Sequence, residues 1–271
     1  MIFSKSILIC GGDKRQKYMY EYMMEKGFDV STFALFYNDI SDIEDIKKFD
    51  VVIFPVPVTK DGVYLNSQRK VLLKDILSVL CDGQIVMGGV CSGMDMIDYY
   101  LDEDFQTQNA IPTAEGALQL AMENTDATIN GSPCAVLGYG RIGKILSSML
   151  KSMGAKVTVF ARNPKDLSMA KAFGFETVHI NRILDMGEFD IIFNTVPEMV
   201  MDTGVLETTK RDAILIELAS KPYGIDLKAA EDMDRKSIVA SGLPGKVAPK
   251  TAGKTLCDVI LDILGGMENG T

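Results

Sequence analysis

The sequence predicts an α/β protein made of two doubly wound parallel-sheet domains. Two series of short apolar runs alternate with segments of helical composition, and the second series begins after Pro133. In that second series an apolar run leads into a glycine-rich turn at residues 138–143. Alternation of this kind is typical of a parallel sheet that helices cover on both faces.

The first series, residues 1–111, is assigned to an N-terminal flavodoxin-like substrate domain. Its apolar runs are short and several end in glycine or proline, which is typical of buried strands followed by loops. The predicted strands cover 6–10, 28–35, 51–54 and 85–87, and the predicted helices cover 13–26, 71–80 and 93–100.

The second series, residues 112–271, is assigned to a linking helix plus a Rossmann domain. Proline favours the first turn of a helix, so the linking helix is predicted to run from Pro112 to Glu123. Ligands of such folds bind beyond the carboxyl ends of the strands, and we therefore expect the active site in a cleft between the domains. The predicted strands cover 134–137, 156–160, 190–194, 213–217 and 237–240, and a closing helix covers 255–264.

The turn after the first strand of the second domain has the G-x-G-x-x-G pattern of dinucleotide-binding sites. Gly138 permits the tight turn, Gly140 lets a pyrophosphate approach the backbone, and Gly143 lets the next helix pack closely on the strand. Arg141 and Ile142 begin this helix, whose N-terminus would face the phosphates. Strand, turn, helix and second strand follow in the required order, which makes the pattern more specific than the glycines alone.

The end of the next strand indicates which dinucleotide is bound. NAD sites usually carry Asp or Glu about 20 residues after the glycines, on the ribose 2′-hydroxyl. Here the sequence reads Ala161, Arg162 and Asn163. Arginine suits a 2′-phosphate, so we expect NADP rather than NAD. The alternative is that Arg162 is an ordinary surface residue.

Composition excludes several classes of function. The net charge of −9 and the pI of about 4.8 argue against a nucleic-acid partner. Five scattered cysteines without a C-x-x-C pair predict reduced thiols in a cytoplasmic protein. The apolar runs are too short to predict a signal peptide or a membrane span. We expect no metal site, because the carboxylates do not cluster with His179 or with paired cysteines.

Three polar residues of the first domain follow predicted strands. Arg15 suits a substrate carboxylate, and the turn that holds Ser92 could bind an anion through its hydroxyl and backbone amides. Asp13 is a candidate for proton transfer. Ordinary helix capping is the alternative for both Asp13 and Ser92.

Cys91 lies in Gly89–Gly93, which is similar to a nucleophile elbow. A cysteine nucleophile needs a nearby base, and the only histidine, His179, belongs to the other domain. The sequence therefore argues against a cysteine hydrolase.

Two further loops of the second domain are predicted to hold the cofactor. They contain Thr195, Val196 and Pro197, and Leu243, Pro244 and Gly245. Lys246 follows the second loop and is a candidate for proton transfer; neutralising a cofactor phosphate or packing at the cleft rim are its alternatives.

Four further motifs are spread along the chain: Gly11–Gln16, Asn109–Ala117, Glu217–Pro222 and Gly242–Gly253. Together they resemble the motifs of one family, that of the A subunit of dipicolinate synthase. One departure follows the third motif, where the family tends to have paired glycines and this chain has Tyr223-Gly224.

The resemblance implies the oxidation of dihydrodipicolinate to dipicolinate with NADP, in the mother-cell cytoplasm during endospore formation. It also implies a partner, the B subunit of dipicolinate synthase. The substrate would be a cyclic dicarboxylate, which needs two anion sites. Arg15 with the Ser92 turn would hold one carboxylate, and Thr113 at the N-terminus of the linking helix the other.

Two other functions remain open. A 2-hydroxy acid or alanine-type dehydrogenase shares the two-domain fold, although such enzymes normally use a histidine that this chain does not place suitably. An NADP-binding regulatory protein that needs a partner is the non-enzymatic alternative. By analogy with similar folds we also expect a homo-oligomer.

Overall fold

The computed structural model describes residues 4–36, 39–183 and 185–269. The chain divides into two units, each with its own parallel sheet. Unit 1 consists of Met1–Asn109 and Ala248–Thr271, and unit 2 consists of Ala110–Val247.

Unit 1 is built on a five-stranded sheet of order β2-β1-β3-β4-β5, with every pairing parallel. This is the flavodoxin-like strand order. The chain adds β2 on one side of β1 and the later strands on the other side, so the order of addition reverses between β1 and β3. The strands are β1 (Ser6–Cys10), β2 (Asp29–Phe33), β3 (Val51–Ile53), β4 (Ile85–Gly88) and β5 (Ile97–Asp98). The helices are α1 (Lys14–Glu25), α2 (Leu73–Ser78) and, from the end of the chain, α9 (Pro249–Asn269).

Both faces of this sheet are buried. Along β1, Ile7 and Ile9 face one apolar cluster, whereas Leu8 and Cys10 face another. Successive side chains of a strand point to opposite faces, so a continuous apolar run is what a doubly covered strand requires. The short apolar runs of the sequence therefore predicted this layer correctly.

The last helix belongs to unit 1, which differs from the expected assignment of all of 112–271 to the nucleotide domain. Leu256, Ile260 and Leu264 of α9 share an apolar cluster with Met19 and Met23 of α1. The chain returns to its first unit because α9 completes the apolar layer that α1 begins on one face of the sheet. The helix is also longer than the predicted 255–264.

Unit 2 contains a six-stranded parallel sheet of order β11-β10-β9-β6-β7-β8. This is the Rossmann order, and its direction reverses between β6 and β9. The strands are β6 (Pro133–Leu137), β7 (Lys156–Ala161), β8 (Glu176–His179), β9 (Ile191–Asn194), β10 (Ile214–Glu217) and β11 (Lys236–Val239). The helices are α4 (Arg141–Ser152), α5 (Pro164–Ala172), α6 (Thr203–Thr208), α7 (Leu227–Asp232) and α8 (Leu243–Val247).

Two predicted helices differ from the structure. The linking helix, α3 (Glu103–Asn124), begins nine residues before Pro112, which lies inside it. Buried apolar residues on both sides of the proline, such as Phe105 and Ala114, keep the helix continuous despite the lost backbone hydrogen bond. Residues 93–100 do not form the predicted α-helix: they form a turn, the edge strand β5 and the start of a short 3-10 helix, Tyr99–Leu101.

Candidate functional site

The glycine turn of unit 2 connects β6 to α4, and each glycine meets a different constraint. Gly138 has φ +99°, and a Cβ there would overlap Thr195 Oγ1. A Cβ on Gly143 would overlap the Gly138 carbonyl oxygen, so this glycine allows helix and turn to touch. By contrast, nothing lies within 4 Å of a Cβ built on Gly140. The open space at Gly140 is what close approach of a pyrophosphate requires.

The N-terminus of α4 has no capping side chain. Gly140 is its N-cap and makes no side-chain capping hydrogen bond, so no capping side chain covers the first amides of the helix. Arg141 is exposed and Ile142 packs partly against the core. A helix of 12 residues with uncapped amides at a glycine turn provides donors and a partial positive charge for an anion.

Arg162 and Asn163 follow β7 directly, as predicted. Both side chains are exposed. Arg162 Nη2 donates to Glu198 Oε2, a carboxylate that follows β9. Asn163 is the N-cap of α5, and its Oδ1 accepts from the Lys165 amide at 2.9 Å.

The loop after β9 leans over the end of β6. Thr195 donates to the Leu137 carbonyl oxygen from both its amide and its hydroxyl, each at 2.8 Å. Thr195 and Val196 are half-buried and Pro197 is exposed. The predicted cofactor residues of the loops after β6 and β9 therefore flank the point where the strand order reverses, which is where ligands of such sheets bind.

The predicted residues 243–246 form the short helix α8. Leu243 and Pro244 are buried, and Leu243 belongs to the main apolar cluster of unit 2. Gly245 is half-buried and Lys246 is exposed. Leu243 and Pro244 thus have a packing role in this structure.

In unit 1, Asp13 and Arg15 form an ion pair between β1 and α1. Arg15 donates to Asp13 from Nε to Oδ1 at 3.0 Å and from Nη2 to Oδ2 at 2.9 Å. Arg15 Nη2 also donates to the Val56 carbonyl oxygen at 2.7 Å, which ties α1 to the loop after β3. Burial raises the pKa of Asp13, but the hydrogen bonds and charge of Arg15 outweigh burial and lower it.

Asp13 is also the N-cap of α1. Its Oδ1 accepts from the Arg15 amide, and Gln16 Oε1 accepts from the Asp13 amide, each at 2.9 Å. These contacts form a capping box. The capping alternative for Asp13 is therefore realised, and the N-terminus of α1 already holds a carboxylate of the chain itself.

The turn at Ser92 differs from the expected anion site. No helix begins there, and Ser92 is exposed. Asp98 Oδ1 accepts from the Val90 amide and Oδ2 from the Cys91 amide, both at 3.1 Å. A carboxylate of the chain itself thus takes two amides of this turn.

Thr113 also differs from its expected place. It is buried within α3, ten residues after the helix begins, because the helix continues through Pro112. Amides in the middle of a helix bond to carbonyl groups of the preceding turn. The predicted pairing of Thr113 with a helix N-terminus is therefore absent.

Cys91 has the properties of a structural thiol. It is buried, and burial together with the nearby charge of Asp98 raises its pKa to about 11. A thiol of this kind is protonated at neutral pH and is a poor nucleophile. His179 Nδ1 accepts from the Asn181 amide at 3.2 Å at the end of β8. The buried, protonated thiol of Cys91 argues against a cysteine hydrolase, as the sequence does.

Sequence reasoning missed two acidic residues beside the cofactor loops. Glu198 pairs with Arg162. Glu217, at the end of β10, is 1% exposed and accepts from Asn194 Nδ2 at 2.8 and 2.9 Å. A carboxylate that directly follows the apolar run Ile214–Ile216 was the signal for the second of these residues.

Within the described ranges, no group of three or more histidine, cysteine, aspartate or glutamate side chains is arranged to hold a metal ion. None of the described helices is long and apolar enough to cross a membrane.

Sequence comparisons match two segments of the chain to known families. Residues 6–98 match the N-terminal domain of the A subunit of dipicolinate synthase, and residues 112–242 match the S-adenosyl-L-homocysteine hydrolase NAD binding domain. The dipicolinate synthase A subunit of Bacillus subtilis (strain 168) is 30% identical, over 99% of this chain and 98% of that protein.

Structural comparisons agree. The crystal structure of the dipicolinate synthase A subunit from Bacillus halodurans has a TM-score of 0.88 and 29% identity, covering 97% of this chain and 99% of that one. A transhydrogenase from Sinorhizobium meliloti has a TM-score of 0.73 at 14% identity, covering 97% of this chain and 94% of that one. At this low identity the second likeness shows the fold alone. Unit 2 is an NAD(P)-binding Rossmann domain of the dehydrogenase-like type.

Proposed function

This chain belongs to the family of the dipicolinate synthase A subunit, and we propose that it oxidises dihydrodipicolinate to dipicolinate with NADP. The observation that carries the proposal is the relationship to the Bacillus subtilis protein over 99% of the chain. The reaction would serve endospore formation in the mother-cell cytoplasm.

The fit of a dinucleotide rests on the glycine turn. Gly140 leaves open space beside the uncapped amides of α4, which would hold the pyrophosphate, while Gly138 and Gly143 allow the turn to pack closely against Thr195 and the helix. The loop Thr195–Pro197 and the first turn of α8, residues 243–245, are proposed to flank the nicotinamide. NADP, when bound, supplies the hydride acceptor.

The preference for NADP over NAD rests on the end of β7. No carboxylate occupies 161–163, the place where NAD sites usually carry one, and Arg162 is exposed there. Its guanidinium suits a 2′-phosphate.

The substrate site is proposed at the carboxyl ends of β1 and β3, where the strand order of unit 1 reverses. Arg15 lies there, and in the described part of the structure its Nη1 has no hydrogen-bond partner. We assign this group to one substrate carboxylate. Asp98 takes two amides of the Ser92 turn, and Thr113 lies inside α3 and not at its N-terminus. The second carboxylate therefore has no assigned partner.

Oxidation of the ring removes a hydride and a proton. Asp13 is proposed as the proton acceptor because its carboxylate lies beside Arg15, the residue assigned to a substrate carboxylate. Its lowered pKa makes it a weak base. Exposed Lys246 is the second candidate, and its alternative role is to neutralise a cofactor phosphate.

The deciding experiment is NADPH formation by the purified chain from fresh dihydrodipicolinate and NADP, with NAD in parallel. Each reaction is run with and without the proposed partner, the B subunit of the synthase. We expect NADPH and dipicolinate in equal amounts. If NADP binds but dipicolinate forms under neither condition, the synthase proposal fails and a regulatory NADP-binding protein replaces it.

A further inference from the structure

Arg162, the residue proposed to bind the 2′-phosphate, is already paired within the protein. Its Nη2 donates to Glu198 Oε2. Both side chains are largely exposed, 58% for Arg162 and 64% for Glu198. The guanidinium therefore meets a carboxylate at the place where a 2′-phosphate would need it.

The fold accounts for this meeting. In the sheet, β6 lies between β9 and β7, so a residue that follows β9 reaches the end of β7 only by crossing the end of β6. Thr195 starts that crossing through its two hydrogen bonds to the Leu137 carbonyl oxygen. The loop that carries Glu198 thus passes the glycine turn on its way to Arg162.

The backbone of this loop is held on its other side as well. A Cβ on Gly224 would overlap Asn194 Nδ2. It would also lie 2.5 Å from the backbone carbonyl oxygen of Val196 and 2.8 Å from that of Glu198. Contact this close means that the segment after β10 supports the segment after β9. Glu198 is therefore presented toward Arg162 by a packed loop.

The chemistry of a ribose 2′ position makes a carboxylate there significant. NAD sites use a carboxylate to bond the 2′-hydroxyl, and the same charge repels a 2′-phosphate. In this chain the carboxylate comes from the loop after β9 instead of the end of β7. It acts on the cofactor through Arg162, since both compete for one guanidinium.

We propose that Glu198 is a specificity-determining residue that weakens NADP binding by competing with the 2′-phosphate for Arg162. This inference rests on the proposed cofactor site. NAD has no group that takes Arg162 away from Glu198, so its binding is insensitive to the competition. Glu198 thereby reduces the ratio of NADP affinity to NAD affinity, which Arg162 increases.

The test is calorimetric titration of NADP and of NAD, at low ionic strength, into the wild type and the variants Glu198→Gln, Arg162→Ala and the double variant. We expect Glu198→Gln to tighten NADP binding by about two- to five-fold, a size that suits an exposed ion pair. NAD binding should change by less than about twofold. Glu198→Gln should tighten NADP binding less when Arg162 is absent, because only direct repulsion of the 2′-phosphate then remains.

Glu207→Gln, an exposed carboxylate on α6, is the matched control for the loss of one negative charge. The inference is overturned if Glu198→Gln leaves NADP affinity unchanged, tightens NAD equally, or acts equally in the Arg162→Ala background. In each of these cases the cofactor site itself stands. If neither dinucleotide binds the wild type, the proposed cofactor site fails and this inference fails with it.

Discussion

Asn194 and Glu217 join the ends of the neighbouring strands β9 and β10 through two buried hydrogen bonds. Asn194 Nδ2 donates to both oxygens of Glu217, at 2.8 and 2.9 Å, and neither residue is more than 1% exposed. Glu217 also accepts, each time at 2.9 Å, from the amides of Ala219, Gly224 and Ile225. One carboxylate thus holds the loop after β10 and, through Asn194, the loop after β9.

The first prediction is that Glu217→Gln destabilises unit 2. The amide keeps the size of the carboxylate but replaces an acceptor oxygen with a donor, so at least one buried backbone amide loses its partner. A loss of this kind costs about 1–3 kcal/mol. The melting temperature should fall by roughly 2 to 10 °C. Glu207→Gln, on the exposed face of α6, should leave the melting temperature unchanged. An equal melting temperature for the two variants would contradict the role given to Glu217.

A second prediction separates two glycines of the same turn. Gly140→Ala should bind dinucleotide about ten- to hundred-fold more weakly, because the new methyl group occupies the space into which the pyrophosphate fits. Its stability should remain that of the wild type, since its φ of −78° suits alanine and nothing lies within 4 Å of the Cβ.

Gly143→Ala is the structural counterpart. Its Cβ would overlap the Gly138 carbonyl oxygen, so α4 must move away from the turn, at a cost of about 1–3 kcal/mol. Titration and thermal unfolding of both variants provide the comparison. If Gly140→Ala is less stable than the wild type, or if Gly143→Ala is equally stable, the roles of the two glycines are assigned wrongly.

The sequence predicted most of the fold because the fold follows from local patterns. The apolar runs of β1 and β6, and the glycines after β6, need only neighbouring residues for their interpretation. Tyr223, where the related family tends to have a glycine, also has a local explanation. The residue adopts φ +68°, the left-handed conformation that glycine adopts without strain.

What the sequence did not predict depends on contacts between distant segments. Asp98 takes the amides at Val90 and Cys91 that were expected for a substrate, and no local pattern indicates this. The return of α9 to unit 1 depends on its packing with α1, more than 200 positions earlier in the chain. Pro112 favoured a helix start, but tertiary packing around it prevailed over the local preference.

A third prediction concerns pH. Because Arg15 lowers the folded-state pKa of Asp13 below its unfolded value, the ion pair stabilises the protein fully above the unfolded pKa, and this contribution is lost as pH falls through the folded pKa. Asp13→Asn keeps a capping oxygen but removes the charge. It should be less stable than the wild type at pH 7, and the difference should shrink below about pH 4.

The measurement is chemical unfolding of both proteins from pH 3 to pH 7. Asp82→Asn, at an exposed carboxylate without an ion pair in the described residues, is the control. A difference between wild type and Asp13→Asn that stays constant with pH would show that the charge of Asp13 contributes nothing.

The last prediction tests the place of α9. A Cβ on Gly253 would overlap the Arg15 carbonyl oxygen and lie 2.9 Å from Tyr18 Cβ, so Gly253→Ala must push α9 away from α1. We expect faster hydrogen exchange in α1, α9 and β1, with unit 2 unchanged, since the overlap costs about 1–3 kcal/mol in unit 1 alone. Gly204→Ala is the control, because its Cβ on α6 has its nearest neighbour at 3.5 Å. Faster exchange in β6 and α4 would place α9 with the nucleotide domain after all, and an unchanged pattern would mean that the two helices do not pack as closely as described.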